Sequence, residues 1–230
     1  MSCTPCVRDP PLTHVYRFQN APTVKLIVGE SKVSFEVHKD LLCRKSSVFN
    51  ATFNINFKET ADQTVSLPDD DAETVDRFTQ WMYTATYSLA SFDSLGEAQD
   101  GYLQLAQLYV FADKIQVYPL KNEIVQKLFD LRRNKKPQPQ MPIVTFIYQN
   151  SNEKSAFRKL LVAWYVWHTD FAWYEKPGIA DEISCVPEFA AELAIAFAQR
   201  HKEPYRKSPF EGGPEQCYET VEYGKAREQR

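Results

Sequence analysis

Two cysteines near the start, Cys3-x-x-Cys6, have the spacing of half a zinc site, since thiolates three positions apart can share one tetrahedral ion. No second pair with matching spacing follows and His14 stands alone, so the pair reads as free thiols unless a partner chain supplies further ligands. Cys43 lies near His38, and Cys with His are the residue types of an activated thiol nucleophile. His38 opens the turn after a strand, however, where its expected role is to satisfy local backbone groups. Asp69-Asp70-Asp71 would suit a divalent cation, but no second oxygen-rich cluster with spaced ligands follows. Nucleophile elbows, phosphate loops and paired dinucleotide-binding glycines are absent, and only 7 glycines are available to build them. The expectation is a protein that is not an enzyme, with no catalytic residue, cofactor or resident metal.

The elements that hold these residues are readable from period. Val24, Leu26 and Val28 alternate with Lys25 and Ile27; after the Gly29-Glu30-Ser31 turn, Val33, Phe35 and Val37 alternate with Ser34 and Glu36, which predicts a hairpin with one buried face. Leu41 and Leu42 then mark a short helix, Ser46 or Ser47 can cap the next, and Phe49 and Phe53 fall four apart on its inner face. Val65 and Leu67 return to strand spacing. Asp70 with Glu73 has capping-box spacing ahead of a Val75, Phe78, Met82 stripe, and the acidic run suits the positive end of the helix. Tyr83 to Tyr87 ends that helix and leads toward a short strand. From Gly101 to Leu131 two amphipathic helices follow, with Leu105, Leu108 and Ala112 in the first and Leu120, Ile124 and Leu128 in the second, after Pro119 restarts the chain.

The order and spacing in VKLIVGESKVSFEVHKDLLCRKSSVFNATFNINFKETADQTVSL resemble the front half of a BTB/POZ domain, and LYVFADKIQVYPLKNEIVQKL resembles its closing helix pair. The resemblance covers Phe18 to Leu131. It implies an α/β (α+β) fold, a short β-sheet capped by a cluster of helices, used for protein pairing and adaptor work. It also implies a homodimer formed through the early helices and first-strand region, to which Tyr16 and Phe18 would add apolar surface. Two positions depart from the family: Ala85 stands where glycine is usual, and Thr23 where Asp often precedes the first strand. Phe57-Lys58-Glu59 has the apolar-x-Glu form carried there by cullin-binding relatives. By that resemblance Phe57 would fill a pocket on a cullin and the Glu59 carboxylate would accept hydrogen bonds, making the chain a substrate adaptor of a ubiquitin ligase. That ligase role is the alternative to the main expectation, a homodimeric, non-catalytic interaction module acting as adaptor or scaffold; a dimerisation protein in transcriptional assemblies is the third reading.

Pro137, Pro139 and Pro142 interrupt any helix and mark a linker. Beyond it, a helix starts at Ile143; Phe157, Leu160, Leu161 and Trp164 share the face of a second; Phe189, Leu193 and Phe197 that of a third, with Pro187 in its first turn and Ser184 as a nearby cap. Arg158 to Leu161 and Tyr165 to His168 resemble the all-α extension of fungal BTB proteins. Trp164, Trp167 and Trp173 read as core of this unit, or as the lining of a peptide groove. The expected organisation is an N-terminal segment (1–17), a BTB/POZ domain (18–133), a Pro-rich linker (134–142), a helical domain (143–201) and a mobile tail (202–230) in which Tyr205, Tyr218 and Tyr223 form no apolar period.

A net charge of −3 disfavours nucleic acid as a partner, and the lone basic run, Arg132-Arg133-Asn134-Lys135-Lys136, suits a helix end as well as an import signal. No run of about twenty apolar residues spans a membrane, and no secretory signal opens the chain. Cysteines at 3, 6, 43, 185 and 217 are odd in number and scattered, which favours a reducing compartment, cytoplasm or nucleus.

Overall fold

Alternation places Val24, Leu26 and Val28 on one face of strand β1 (Thr23–Val28), and all three are buried. In the computed structural model, which describes residues 21–54, 62–203 and 207–220, β1 is central in a sheet of order β2-β1-β3. It pairs antiparallel with β2 (Val33–His38), Val24 opposite Val37, and parallel with β3 (Thr64–Leu67), Leu26 opposite Val65. Gly29 makes the turn with φ of 68°.

The buried face expected for β2 is realised at Val37 but not at Val33, which is 40% exposed. β2 is an edge strand, and helices reach it at its far end. There α1 (Lys39–Lys45) begins and His38 bonds Tyr83 of helix α3 (Ala72–Thr84), and among the described residues the turn end is left uncovered.

Ser46 settles the cap of α2 (Ser47–Asn54): its Oγ accepts from the Phe49 N–H and donates to the Ile115 carbonyl, so one buried hydroxyl starts a helix and ties it to the domain's far side. The rings of Phe49 and Phe53 stack inward at 6.4 Å.

At α3 the cap is one residue later than expected. Asp71, not Asp70, accepts from the Thr74 N–H at 2.9 Å, because it is the extended residue immediately before the first turn. Asp70 instead pairs with Lys114 at 2.7 Å, and Glu73 with Arg77. Val75, Phe78, Trp81 and Met82 are buried as the stripe requires. Ala85 closes α3 in the left-handed region with φ of 55°, and no strand follows over residues 86–91. A Cβ in that conformation costs roughly 1–2 kcal/mol, partly offset by the greater freedom glycine has in the unfolded chain. Ala85→Gly is therefore expected to stabilise the chain by about 0.5–1 kcal/mol and raise its Tm by a few degrees in a thermal melt. A lower Tm would show that Ala85 makes compensating contacts.

Helix α4 (Leu95–Lys114) starts six residues before Gly101, capped by Ser94, whose Oγ accepts from Glu97 N–H. Gly101 lies within it because a Cβ there would come within 2.5 Å of the Phe92 ring. Helix α5 (Tyr118–Arg133) carries Pro119 in its first turn and buries Leu120, Ile124 and Leu128.

The back half folds as α6 (Met141–Asn150), α7 (Ala156–His168), the short α8 (Phe171–Tyr174) and α9 (Ile179–Ser184), and α10 (Pro187–Lys202). Ser184 does not cap α10: its Oγ donates to Asp181 O inside α9, and Val186 precedes Pro187 without a side-chain cap.

The Pro-rich segment is fastened rather than free. Tyr102 and Tyr165 hydroxyls donate to the carbonyls of Pro137 and Pro139, and Gln99 bonds the backbone of both Gln138 and Gln140. One continuous apolar core accordingly runs from Val24 through α4 and α5 into α7 and α10.

Residues 207–220, expected in a mobile tail, are instead a docked strap with two 3-10 turns, Pro209–Glu211 and Pro214–Cys217. Phe210 packs against Phe129, Trp164 and His168, and this burial offsets the ordering that low apolar content would not otherwise support. Residues 204–206 and 221–230 lie outside the described residues.

Candidate protein-interaction surfaces

Phe57, Lys58 and Glu59 fall outside the described residues, in the stretch between α2 and β3. The described residue nearest before them, Asn54, follows Phe53, whose carbonyl accepts from Lys39 Nζ at 3.1 Å. Cys3, Cys6, His14, Tyr16 and Phe18 are likewise outside them.

His38 and Cys43 are each engaged elsewhere. Tyr83 OH accepts from the His38 backbone N–H at 3.0 Å and lies 2.7 Å from its Nδ1, so the partner expected in local backbone is a side chain 45 residues away. The Cys43 thiol contacts the Phe49 carbonyl at 3.8 Å, and burial pushes its pKa up, the opposite of an activated thiolate. Asp70 and Asp71 are committed to a lysine and a helix cap, and among the described residues no cluster of His, Cys, Asp or Glu would hold a metal ion.

The three back-half tryptophans do not share one surface. Trp164 is 3% exposed and meets the rings of Tyr102 and Phe210 edge-on at 5.9 and 5.4 Å, which makes it the joint between α4, α7 and the strap. Trp173 lies half-buried against Tyr165 at 5.2 Å. Trp167 lines a groove between α7 and α10, with the Arg200 guanidinium 4.7 Å over its ring.

Where the strap crosses α5 lies a polar network that sequence reading missed. Lys121 is 1% exposed; its ammonium bonds Asp113 and Glu219. Glu219 also accepts from Tyr109 OH and from Ala156 N–H at 2.9 Å, the latter at the start of α7, while Asn122 bonds its backbone on both sides. Burial alone would raise the Glu219 carboxyl, but the donors from Ala156, Lys121 and Tyr109 together hold it below the usual carboxylate range. Tyr109 goes the other way, pushed up by burial and then by the Glu219 charge.

A second polar contact sits at the strap's other end. Arg132 has only hydrogens to offer, so His168 accepts it on Nδ1 and presents Nε2–H to Ser208 Oγ at 2.9 Å. Burial, reinforced by Arg132, lowers the His168 pKa to about 4, which leaves the ring neutral at pH 7.

A three-stranded sheet capped by a cluster of helices is the architecture of the BTB/POZ protein-interaction module. The chain carries a BTB/POZ domain: the model of that family matches residues 15–128. Among solved structures, the BTB domain of human gigaxonin is similar at 14% identity and a TM-score of 0.37, with 54% of this chain and 97% of that one covered. No curated protein matches.

Proposed function

We propose that this chain is a homodimeric, non-catalytic adaptor or scaffold, in which the BTB/POZ domain pairs two copies and the fused helical unit receives a client protein. The uncovered edge of β2 carries the reading. Val33 is 40% exposed and Phe35 half-buried on a strand whose outer side has no partner strand among the described residues. Apolar side chains on an open edge are a template for association unless something covers them. The cytoplasm or nucleus is the setting that suits the free thiols of Cys43, Cys185 and Cys217. No helix among the described residues is long and apolar enough to cross a membrane.

A second reading, as substrate adaptor of a cullin-type ubiquitin ligase, is favoured by Phe57-Lys58-Glu59 in the sequence between α2 and β3. An apolar anchor beside a carboxylate is a compact recognition element.

One light-scattering series on the full chain tests both. Alone, at micromolar concentration, it should show twice the 26.6 kDa of a single chain; a monomer with no concentration dependence overturns the dimer. Added cullin N-terminal domain should then raise the mass if the ligase reading holds, and the change Phe57→Ala with Glu59→Ala should abolish the rise while the dimer persists. No rise at tens of micromolar removes the cullin and leaves the scaffold.

A further inference from the structure

The groove beside Trp167 is built by two helix stripes. Lys159, Val162, Ala163, Val166 and Trp167 come from α7 at i, i+3, i+4, i+7 and i+8; Glu192, Ala196, Gln199 and Arg200 come from α10 at i, i+4, i+7 and i+8. Alanine at 163 and 196 ends each side chain at Cβ, which leaves space where larger residues would close the seam between the helices. Pro209 of the strap completes the lining.

The groove's volume, about 260 Å³, lies below the roughly 300–1,000 Å³ of sites that engulf a whole small ligand. It suits an anchoring side chain presented by a larger partner. Ile195, 59% exposed, lies on α10 three positions from Glu192 and four from Gln199, and so extends the apolar surface past the rim.

Charge selects the partner. The chain carries −3 overall, yet this groove holds two cations and one carboxylate, and that carboxylate is already occupied in accepting the Tyr148 hydroxyl at 2.6 Å. Among the described residues neither Lys159 nor Arg200 has an ion-pair partner. Arg200 is also held in place, donating from Nη1 to the Val166 carbonyl while stacked on Trp167, so its remaining N–H groups are oriented before any ligand arrives.

We propose that the groove between α7 and α10 binds an acidic peptide segment of a client protein, with one apolar side chain over Ala163 and Ala196 and a carboxylate against Lys159 and Arg200. This rests on the adaptor reading and gives its client a chemistry.

Fluorescence anisotropy on the full chain tests it with three labelled hexapeptides: Asp-Glu-Leu-Phe-Asp-Glu, Lys-Lys-Leu-Phe-Lys-Lys and Asp-Glu-Ala-Ala-Asp-Glu. The first should bind at least about tenfold more tightly than either other, and more weakly as salt rises. Lys159→Glu, at an exposed position, should weaken it by about tenfold, and Ala196→Phe should block it by filling the groove. Equal binding of all three peptides, binding unchanged in both variants, or no binding of the first peptide at about 1 mM overturns the proposal. Light scattering on the same samples separates the two readings, because a dimer that ignores the acidic peptide loses the groove but keeps the adaptor.

Discussion

Glu219→Ala should cost about 3–5 kcal/mol of stability, the penalty for removing one partner of a buried ion pair. Three losses combine. The Lys121 ammonium, 1% exposed, is left with Asp113 alone; Tyr109 OH loses its acceptor; and Ala156 N–H at the start of α7 loses its own. Urea denaturation of the full chain measures the change. The decisive comparison adds Lys121→Met, because an apolar side chain in that cavity needs no counter-charge. The double variant should recover much of the loss, and a double variant no more stable than Glu219→Ala would mean that the strap's packing, not its charge, holds the site. The pH dependence follows in sign. Since the folded Glu219 carboxyl is held below its unfolded value, its contribution is complete above the ordinary carboxylate pKa and disappears as pH falls through the depressed folded value. Glu219→Ala should therefore flatten the acid limb of the stability curve.

Trp164→Ala is expected to cost a similar amount, about 3–5 kcal/mol, by opening a cavity where α4, α7 and the strap meet. In a thermal scan that corresponds to a Tm lower by about 6–20 °C. Its ring touches Tyr102 and Phe210, so the damage should reach the BTB/POZ domain as well as the helical unit, and the two should unfold in one transition. Trp164→Phe keeps an aromatic body in place and should recover part of the loss. Unchanged stability in the alanine variant, with loss of a captured client, would instead make Trp164 a recognition residue.

The periodic parts of this fold were legible. Val24, Leu26 and Val28 announce a strand with one buried face by alternation, and Val75, Phe78 and Met82 announce a buried helix face, because in each case several residues repeat one geometric demand. Single residues with distant partners were not. Nothing local marks Lys121 as buried, since lysine is ordinarily a surface residue and, although Asp113 lies 8 positions away, the second counter-ion, Glu219, lies 98 positions away. Phe210 belongs to no stripe, so the strap read as tail. Three successive aspartates allow neighbouring cap registers, and only the backbone turn chooses Asp71. The start of α4 was available in Ser94-x-x-Glu97, a capping pair that the helix's later stripe obscured. The groove had half a signal: Trp167 stood out by type, whereas Ala163 and Ala196, which create the space, look like ordinary helix formers.

The strap also sets a schedule for biosynthesis. Chains emerge from the ribosome N-terminus first, at about 5–20 residues per second, and Glu219 follows Lys121 by 98 residues. For roughly 5–20 s, then, the nascent BTB/POZ domain has its helices but not the carboxylate that completes its buried ammonium, nor the phenylalanine that covers Phe129. During that interval α5 lacks the contacts that the strap supplies to Lys121, Asn122 and Phe129. Closure of the strap thus lags behind the domain it completes, by a delay set by the 98 residues between Lys121 and Glu219 rather than by the surfaces those residues form.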